Sequence, residues 1–193
     1  MKPAQPELLQ RECLHQGFLR IERLQFLQHR FDGGEMKVTR EVMLRQPVVF
    51  VHTYDPRTQQ VVLVEQCRPG PLAVGDTNCF ILESPAGLID ADEDPVAAAG
   101  RELQEETGLE AIEITPVVAG YVSPGGSSAF AHHLIARVDL QNFEGGSGGL
   151  ADEHEDIRVH VMGLEQALEK VRQGEIRSSN TILGLYHLAL YCR

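Results

Sequence analysis

AGLIDADEDPVAAAGRELQEETGL, residues 86–109, holds the start and stop signals of one helix and a cluster of carboxylates along it. Asp94 suits the cap of the first unpaired N–H groups, Pro95 the first helical position and Gly108 the left-handed stop. Between them Ala97, Ala98, Ala99, Arg101, Glu102, Leu103, Gln104, Glu105 and Glu106 are good helix formers. Gly100 is the exception, and an interior glycine predicts a second backbone passing close by. The spacing i, i+3, i+4 places Glu102, Glu105 and Glu106 in one stripe. Val96, Ala99 and Leu103 form the apolar stripe beside it, which predicts docking on a sheet.

Like charges at this spacing repel. Arg101 reaches Glu105 at i+4, but one arginine does not neutralise three glutamates. A hard divalent cation does, and Mg²⁺ takes one or two carboxylates together with waters and substrate phosphates. On the triplet alone, a solvated acidic helix face is the competing reading. Asp90-x-Asp92-x-Asp94 is not a calcium loop, because Pro95 stands where the sharp-turn glycine belongs and Arg101 where the closing glutamate belongs.

The whole stretch resembles the Nudix box, G-x5-E-x7-R-E-U-x-E-E-x-G-U with U a bulky aliphatic. Gly87, Glu93, Arg101, Glu102, Leu103, Glu105, Glu106, Gly108 and Leu109 fill its fixed positions in order. Further out, Ser123-Pro124-Gly125, the acidic segment Ala151 to Ile157, Gly17-Phe18-Leu19, Thr39-Arg40-Glu41-Val42 and Glu65-Gln66-Cys67-Arg68 are similar to the bacterial ADP-ribose pyrophosphatase branch of that family. Two positions depart. Ala129 stands where the branch commonly has a substrate-holding glutamate, and Ser84 stands where an apolar residue is common.

The rest of the chain sets bounds. With 193 residues and a net charge of −11, it is long enough for a sizeable core and too acidic to favour nucleic acid or an anionic membrane. The first residues, MKPAQPELLQRE, lack the apolar core of a signal peptide, and no apolar run is long enough to span a bilayer. Cys13, Cys67, Cys79 and Cys192 show no C-x-x-C spacing and read as reduced cysteines of a cytoplasmic protein.

Residues 1–15 are polar and suggest no element. Residues 17–30 and 36–44 alternate apolar and polar, with Asp32-Gly33-Gly34 as a hairpin turn between them. Strands are expected at 48–52, 61–67, 80–83, 112–114, 117–119, 129–140 and 157–162, and helices at 163–174 and 180–191. Residues 143–150, containing GGSGG, read as a flexible hinge, without the lysine of a phosphate loop. The expected architecture is α+β, with residues 1–45 as an N-terminal antiparallel β-meander and 46–193 as the main domain. A meander of this size buries little alone, which points to packing or exchange across a homodimer. The resemblance implies an α/β/α Nudix sandwich with a mixed β-sheet.

The resemblance also implies site roles. Glu102, Glu106 and the Ala86 carbonyl would hold two or three Mg²⁺ ions, with Mn²⁺ as a substitute, Glu105 would bind or bridge them, and Glu155 would add a ligand. Glu153 would position or deprotonate the attacking water, and Arg101 would orient the glutamates. Substrate would meet Phe18, Arg40, Arg68, Leu88, Ser123 and Gly125, with Phe18 stacking on adenine from the partner subunit. Adjacent strand positions face opposite ways, so His132 and His133 do not chelate one ion together and are assigned to packing or hydrogen bonding. His154 is expected in solvent.

The expected activity is Mg²⁺-dependent cleavage of ADP-ribose to AMP and ribose 5-phosphate. The alternatives are cleavage of another nucleoside diphosphate sugar such as GDP-mannose, which Ala129 keeps open, and a Nudix-fold sensor without turnover.

Overall fold

Ile21, Leu24 and Phe26 alternate with polar residues. In the computed structural model, which describes residues 5–150 and 154–191, that run is strand β2 (Arg20–His29). It pairs antiparallel with β3 (Glu35–Leu44), Ile21 opposite Met43 and Phe26 opposite Val38. Gly33 (φ 91°) and Gly34 (φ 82°) turn the chain between them in a backbone conformation that side chains disfavour. The reading of residues 1–15 needs correction: β1 (Glu7–Gln16) adds a third strand, Glu7 opposite Leu27. It is exposed along its whole length, so no alternation of apolar residues marks it. The chain divides into two compact units, and this sheet belongs to the first, Met1–Pro47 with Gly120–Ala131. There the Met43 N–H donates to the Gly126 carbonyl (2.9 Å) and Ser128 N–H to the Met43 carbonyl (3.0 Å).

The second unit, Val48–Ala119 with His132–Arg193, holds two four-stranded sheets except for the last two residues of one strand and the first two of another, which fall in the first unit. One has the order β10 (Gly146–Gly148), β11 (Ile157–Gly163), β5 (Gln60–Cys67), β6 (Phe80–Glu83). The other has the order β7 (Ala86–Leu88), β4 (Val48–Tyr54), β9 (Phe130–Arg137), β8 (Glu113–Tyr121). Helix α1 (Pro69–Ala73) is a single short turn between β5 and β6, and α2 (Pro95–Thr107) follows β7. Helices α3 (Leu164–Arg172) and α4 (Ser179–Tyr191) close the chain. The buried Thr53 hydroxyl ties the sheets together, accepting from Val62 N–H at 2.7 Å and donating to the Val62 carbonyl at 3.1 Å.

Strand β5 explains the layering. Val62 and Val64 join a core with Ala98, Ala99 and Leu103 of α2, while Val61 and Leu63 join a second core with Leu168 of α3 and Leu185 of α4. A strand buried on both faces reads as an unbroken apolar run, as VVLV does. The result is a mixed α+β fold with helices on both sides of the strands. The two strands expected at 112–114 and 117–119 are one strand, β8, which begins at Glu113, lies at a sheet edge and so accommodates Pro116. The flexible reading of GGSGG also needs correction, since Gly146–Gly148 pairs with β11, Gly146 opposite Val159. Among the described residues no helix is long and apolar enough to cross a membrane.

Candidate active site

Helix α2 begins and ends as its residues dictate. The Asp94 carboxylate accepts from Val96 N–H at 2.8 Å, and Gly108 takes the left-handed conformation (φ 76°) with its N–H bonded to the Gln104 carbonyl. Ala99 and Leu103 are fully buried and fix which way the helix faces. Gly100 needs a different account from the one its sequence offered. A Cβ there would lie 3.6 Å from Ile114 Cδ1, an ordinary contact, and no other backbone lies within reach.

Arg101 is the hub of the acidic stripe. Its guanidinium donates to both Glu93 oxygens (3.0 and 2.9 Å), to Glu102 Oε1 (2.8 Å), to Glu105 Oε2 (3.1 Å) and to the Leu88 carbonyl (3.1 Å). These bonds raise the arginine's pKa, the bond to Glu93 most, and keep it charged. Glu93, which also accepts from Asp90 N–H at 3.0 Å, is held down to about 2, chiefly by Arg101. Sequence reasoning placed Glu93 in the motif without giving it this task, and its bidentate geometry with Arg101 is what locks the guanidinium.

Glu106 is outside this network. It is buried, and among the described residues its carboxylate accepts one hydrogen bond, from Ala86 N–H at 3.1 Å. Burial, followed by the charges of Glu155 and Glu102, raises its pKa to about 8. Glu102 is likewise raised, first by burial, with the charges of Glu105 and Glu155 adding to it. Arg101 thus serves Glu93, Glu102 and Glu105, and among the described residues no cation contacts Glu106.

The flanking backbone is shaped around these carboxylates. A Cβ on Gly87 would sit 1.9 Å from Glu102 Cδ and Oε1, so only glycine leaves room for that carboxylate. Beyond the helix, a Cβ on Gly148 would fall 1.8 Å from the Glu106 carbonyl oxygen, and Gly149 N–H donates to the Glu105 carbonyl at 3.1 Å. Gly149, just past β10, thus caps a carbonyl near the helix end. It launches the acidic loop, where Glu155 N–H returns to the Leu150 carbonyl (3.2 Å).

A polar cluster that sequence reasoning did not assemble holds the chain just before Ala86. Buried Ser84 bonds through Oγ to His52 Nδ1 (2.9 Å), and His52 Nε2 to His133 Nδ1 (3.1 Å). Ser84 N–H donates to Thr181 Oγ1 at 2.8 Å. Burial holds His52 down to about 3 and lowers His133 as well, and His133 stacks on Phe50 at 5.3 Å. The unusual Ser84 was the available signal. This cluster anchors the chain two residues before Ala86, the donor to Glu106.

The remaining expected residues are placed as follows. Arg68 donates through Nε to Glu83 Oε2 at 2.5 Å, and its charge lowers the pKa of Glu106. In the first unit, Phe18 is 92% exposed with the Arg45 guanidinium 5.6 Å from its ring centre, and Arg40 is exposed and donates to the Thr39 carbonyl. The Ser123 carbonyl accepts from Gly126 and Ser127 N–H in the turn containing Gly125. His154 is exposed, as expected. Glu153 lies outside the described residues.

Among the described residues no three acidic, histidine or cysteine side chains are arranged as a finished metal cage, since Glu102 and Glu105 are turned onto Arg101. The donor set nevertheless suits a hard cation: oxygen ligands only, one of them a buried carboxylate lacking a cationic partner in contact.

A carboxylate cluster, with Glu106 buried and Glu102 and Glu105 half-buried, on the helix that follows a glycine-containing strand defines the class, and comparison with known proteins agrees. The NUDIX domain model matches residues 43–181, and the chain belongs to this family, whose members typically use divalent metal ions. It is 35% identical to the ADP-ribose pyrophosphatase of Haemophilus influenzae (95% of this chain, 86% of that protein) and 36% identical to that of Escherichia coli K12 (96% and 88%). It is also 35% identical to the GDP-mannose pyrophosphatase of Cronobacter sakazakii, over 95% of each. A crystal structure of an ADP compounds hydrolase superposes with a TM-score of 0.75 at 18% identity, covering 99% of this chain and 96% of that one, which supports the fold.

Proposed function

We propose that this chain hydrolyses the diphosphate bond of ADP-ribose, giving AMP and ribose 5-phosphate with two or three Mg²⁺ ions bound. The observation that carries this reading is Glu106, a buried carboxylate set against Glu102 and Glu155 with, among the described residues, one N–H donor and no cation in contact. Bound divalent ions would neutralise the diphosphate's non-bridging oxygens and make water nucleophilic near neutral pH. Glu102, Glu106, the Ala86 carbonyl and Glu155 are the proposed ligands, and Glu105 the bridging one. Arg101 orients Glu102 and Glu105 through the bonds already described. Glu153 is the proposed group that positions or deprotonates the attacking water.

Arg68 and the Leu88 backbone are the proposed contacts to substrate in the second unit. Phe18, Arg40, Ser123 and Gly125 are those of the first, with Phe18 and its exposed ring offered to the adenine of a partner subunit in a homodimer. GDP-mannose is the second reading, favoured by Ala129 and by relatives of that activity at 33–35% identity.

Phosphate release in a phosphatase-coupled assay with Mg²⁺, across ADP-ribose, GDP-mannose, UDP-glucose, NADH and diadenosine polyphosphates, tests the proposal. Preference for ADP-ribose is expected. Preference for another sugar nucleotide would keep the metal site and overturn the substrate. Binding without turnover of any compound would indicate a sensor.

A further inference from the structure

Cys67 ends β5 and Cys79 immediately precedes β6, and these strands pair antiparallel with Cys67 opposite Phe80. Arg68 N–H donates to the Cys79 carbonyl at 2.8 Å. This backbone frame brings the two Sγ atoms to 3.3 Å. Neither thiol is core: Cys67 is exposed and Cys79 half-buried, so a small reagent reaches the pair. A disulfide needs an S–S distance of about 2.05 Å, so closing it requires a contraction of only ~1.3 Å. The spacing of 12 residues is not a recognised cysteine motif, which is why the sequence read these cysteines as unrelated.

The loop they would close contains α1 and is otherwise tethered through Arg177, which donates to Asp76 (2.6 Å) and to the Asn78 carbonyl. Its first residue is Arg68, which holds Glu83 and whose charge acts on Glu106. A covalent bond at Cys67 therefore adjoins the cation nearest in effect to the buried carboxylate.

We propose that Cys67 and Cys79 form a reversible dithiol–disulfide modification site for small disulfides of the glutathione class, and that Arg68 senses its state. The Cys67 thiolate attacks one sulfur of the small disulfide, forming a mixed disulfide and expelling one thiolate, which takes up a proton. The Cys79 thiolate then attacks Cys67 Sγ, forming the protein disulfide and expelling the second thiolate. Two cysteine thiols and one small disulfide become one protein disulfide and two small thiols, with two electrons passing to the reagent. The contact with Cys79 raises the Cys67 thiol above its ordinary pKa, so the reaction accelerates as pH rises.

The test incubates the full chain with oxidised glutathione, quenches with N-ethylmaleimide and reads intact mass and peptide map. A loss of two hydrogens and a cross-linked peptide joining Cys67 to Cys79 are expected, reversed by dithiothreitol. Cys79→Ser should instead stop at the mixed disulfide on Cys67. Absence of the cross-link, or a stable glutathione adduct on Cys67 of the unaltered chain, would overturn the site. The kinetic arm rests on the proposed function: oxidation should raise KM for ADP-ribose several-fold at unchanged kcat, an effect absent in the double variant Cys67→Ser with Cys79→Ser. A cross-link with unaltered kinetics would overturn the role of Arg68. If the reduced protein itself shows no turnover, the proposed function fails, while the mass result still decides the site.

Discussion

At the scale of the residue, Glu106 carries the most information, because its charge is unfavourable where it stands. Its pKa is raised from the ordinary carboxylate value to about 8. Between those limits the folded chain binds more protons than the unfolded one, so stability contributed by this group falls as pH rises through that window. In the presence of a chelator, Glu106→Gln should therefore raise the Tm by several degrees at pH 8. The gain should shrink towards pH 5, as scanning calorimetry at both values would show. A difference independent of pH would mean that the carboxylate is not desolvated. Gly87 makes the complementary case, since a single methyl group would occupy the Glu102 carboxylate's place. Gly87→Ala should weaken Mg²⁺ binding by roughly 10–100-fold, the effect of losing a ligand's support. Titration calorimetry reads this directly, and unchanged affinity would remove Glu102 from the ion site.

At the scale of the element, α2 was legible because its signals are local. A capping aspartate, a proline and a glycine stop are contained in the stretch itself, and the structure uses all three. Strand β5 and the closing helices were legible through their apolar patterns. Three strands were not, each for a physical reason. β1 is exposed throughout and held by backbone pairing, so selection left no alternation in ELLQRECLHQ. β7 is short and hidden inside the motif. β10 needs glycine at 148 because a side chain there would collide with the backbone of α2, so a fixed element mimics a flexible one. Gly148→Ala should accordingly cost roughly 1–3 kcal/mol, the usual penalty of overpacking. Urea unfolding measures it, and a neutral result would show β10 free to move away from the helix. At the site, residue types and spacing named the glutamates, whereas the bidentate use of Glu93 and the relay from Ser84 to His133 depend on long-range contacts that no local pattern encodes.

At the scale of the whole molecule, acidity and function fit together. A chain of net charge −11 meets an anionic diphosphate only through bound cations and a few placed arginines, of which Arg68 is the one acting on Glu106. The N-terminal sheet exposes Leu8, Leu9, Phe18 and Met36, apolar surface that fits the proposed homodimer. Removing residues 1–45 should abolish dimerisation and weaken ADP-ribose binding together, as read by light scattering and calorimetry. A fully active monomer would refute the role of that segment across subunits.

The central claim is that the α2 carboxylates hold the ions that cleave a diphosphate. It is tested most directly by ADP-ribose turnover of Glu106→Gln against the unaltered chain over a magnesium titration, with circular dichroism confirming the fold. Loss of a ligand that supplies several kcal/mol of transition-state stabilisation predicts a fall of about a hundredfold or more at every Mg²⁺ concentration. Near-normal turnover by a folded variant would contradict it.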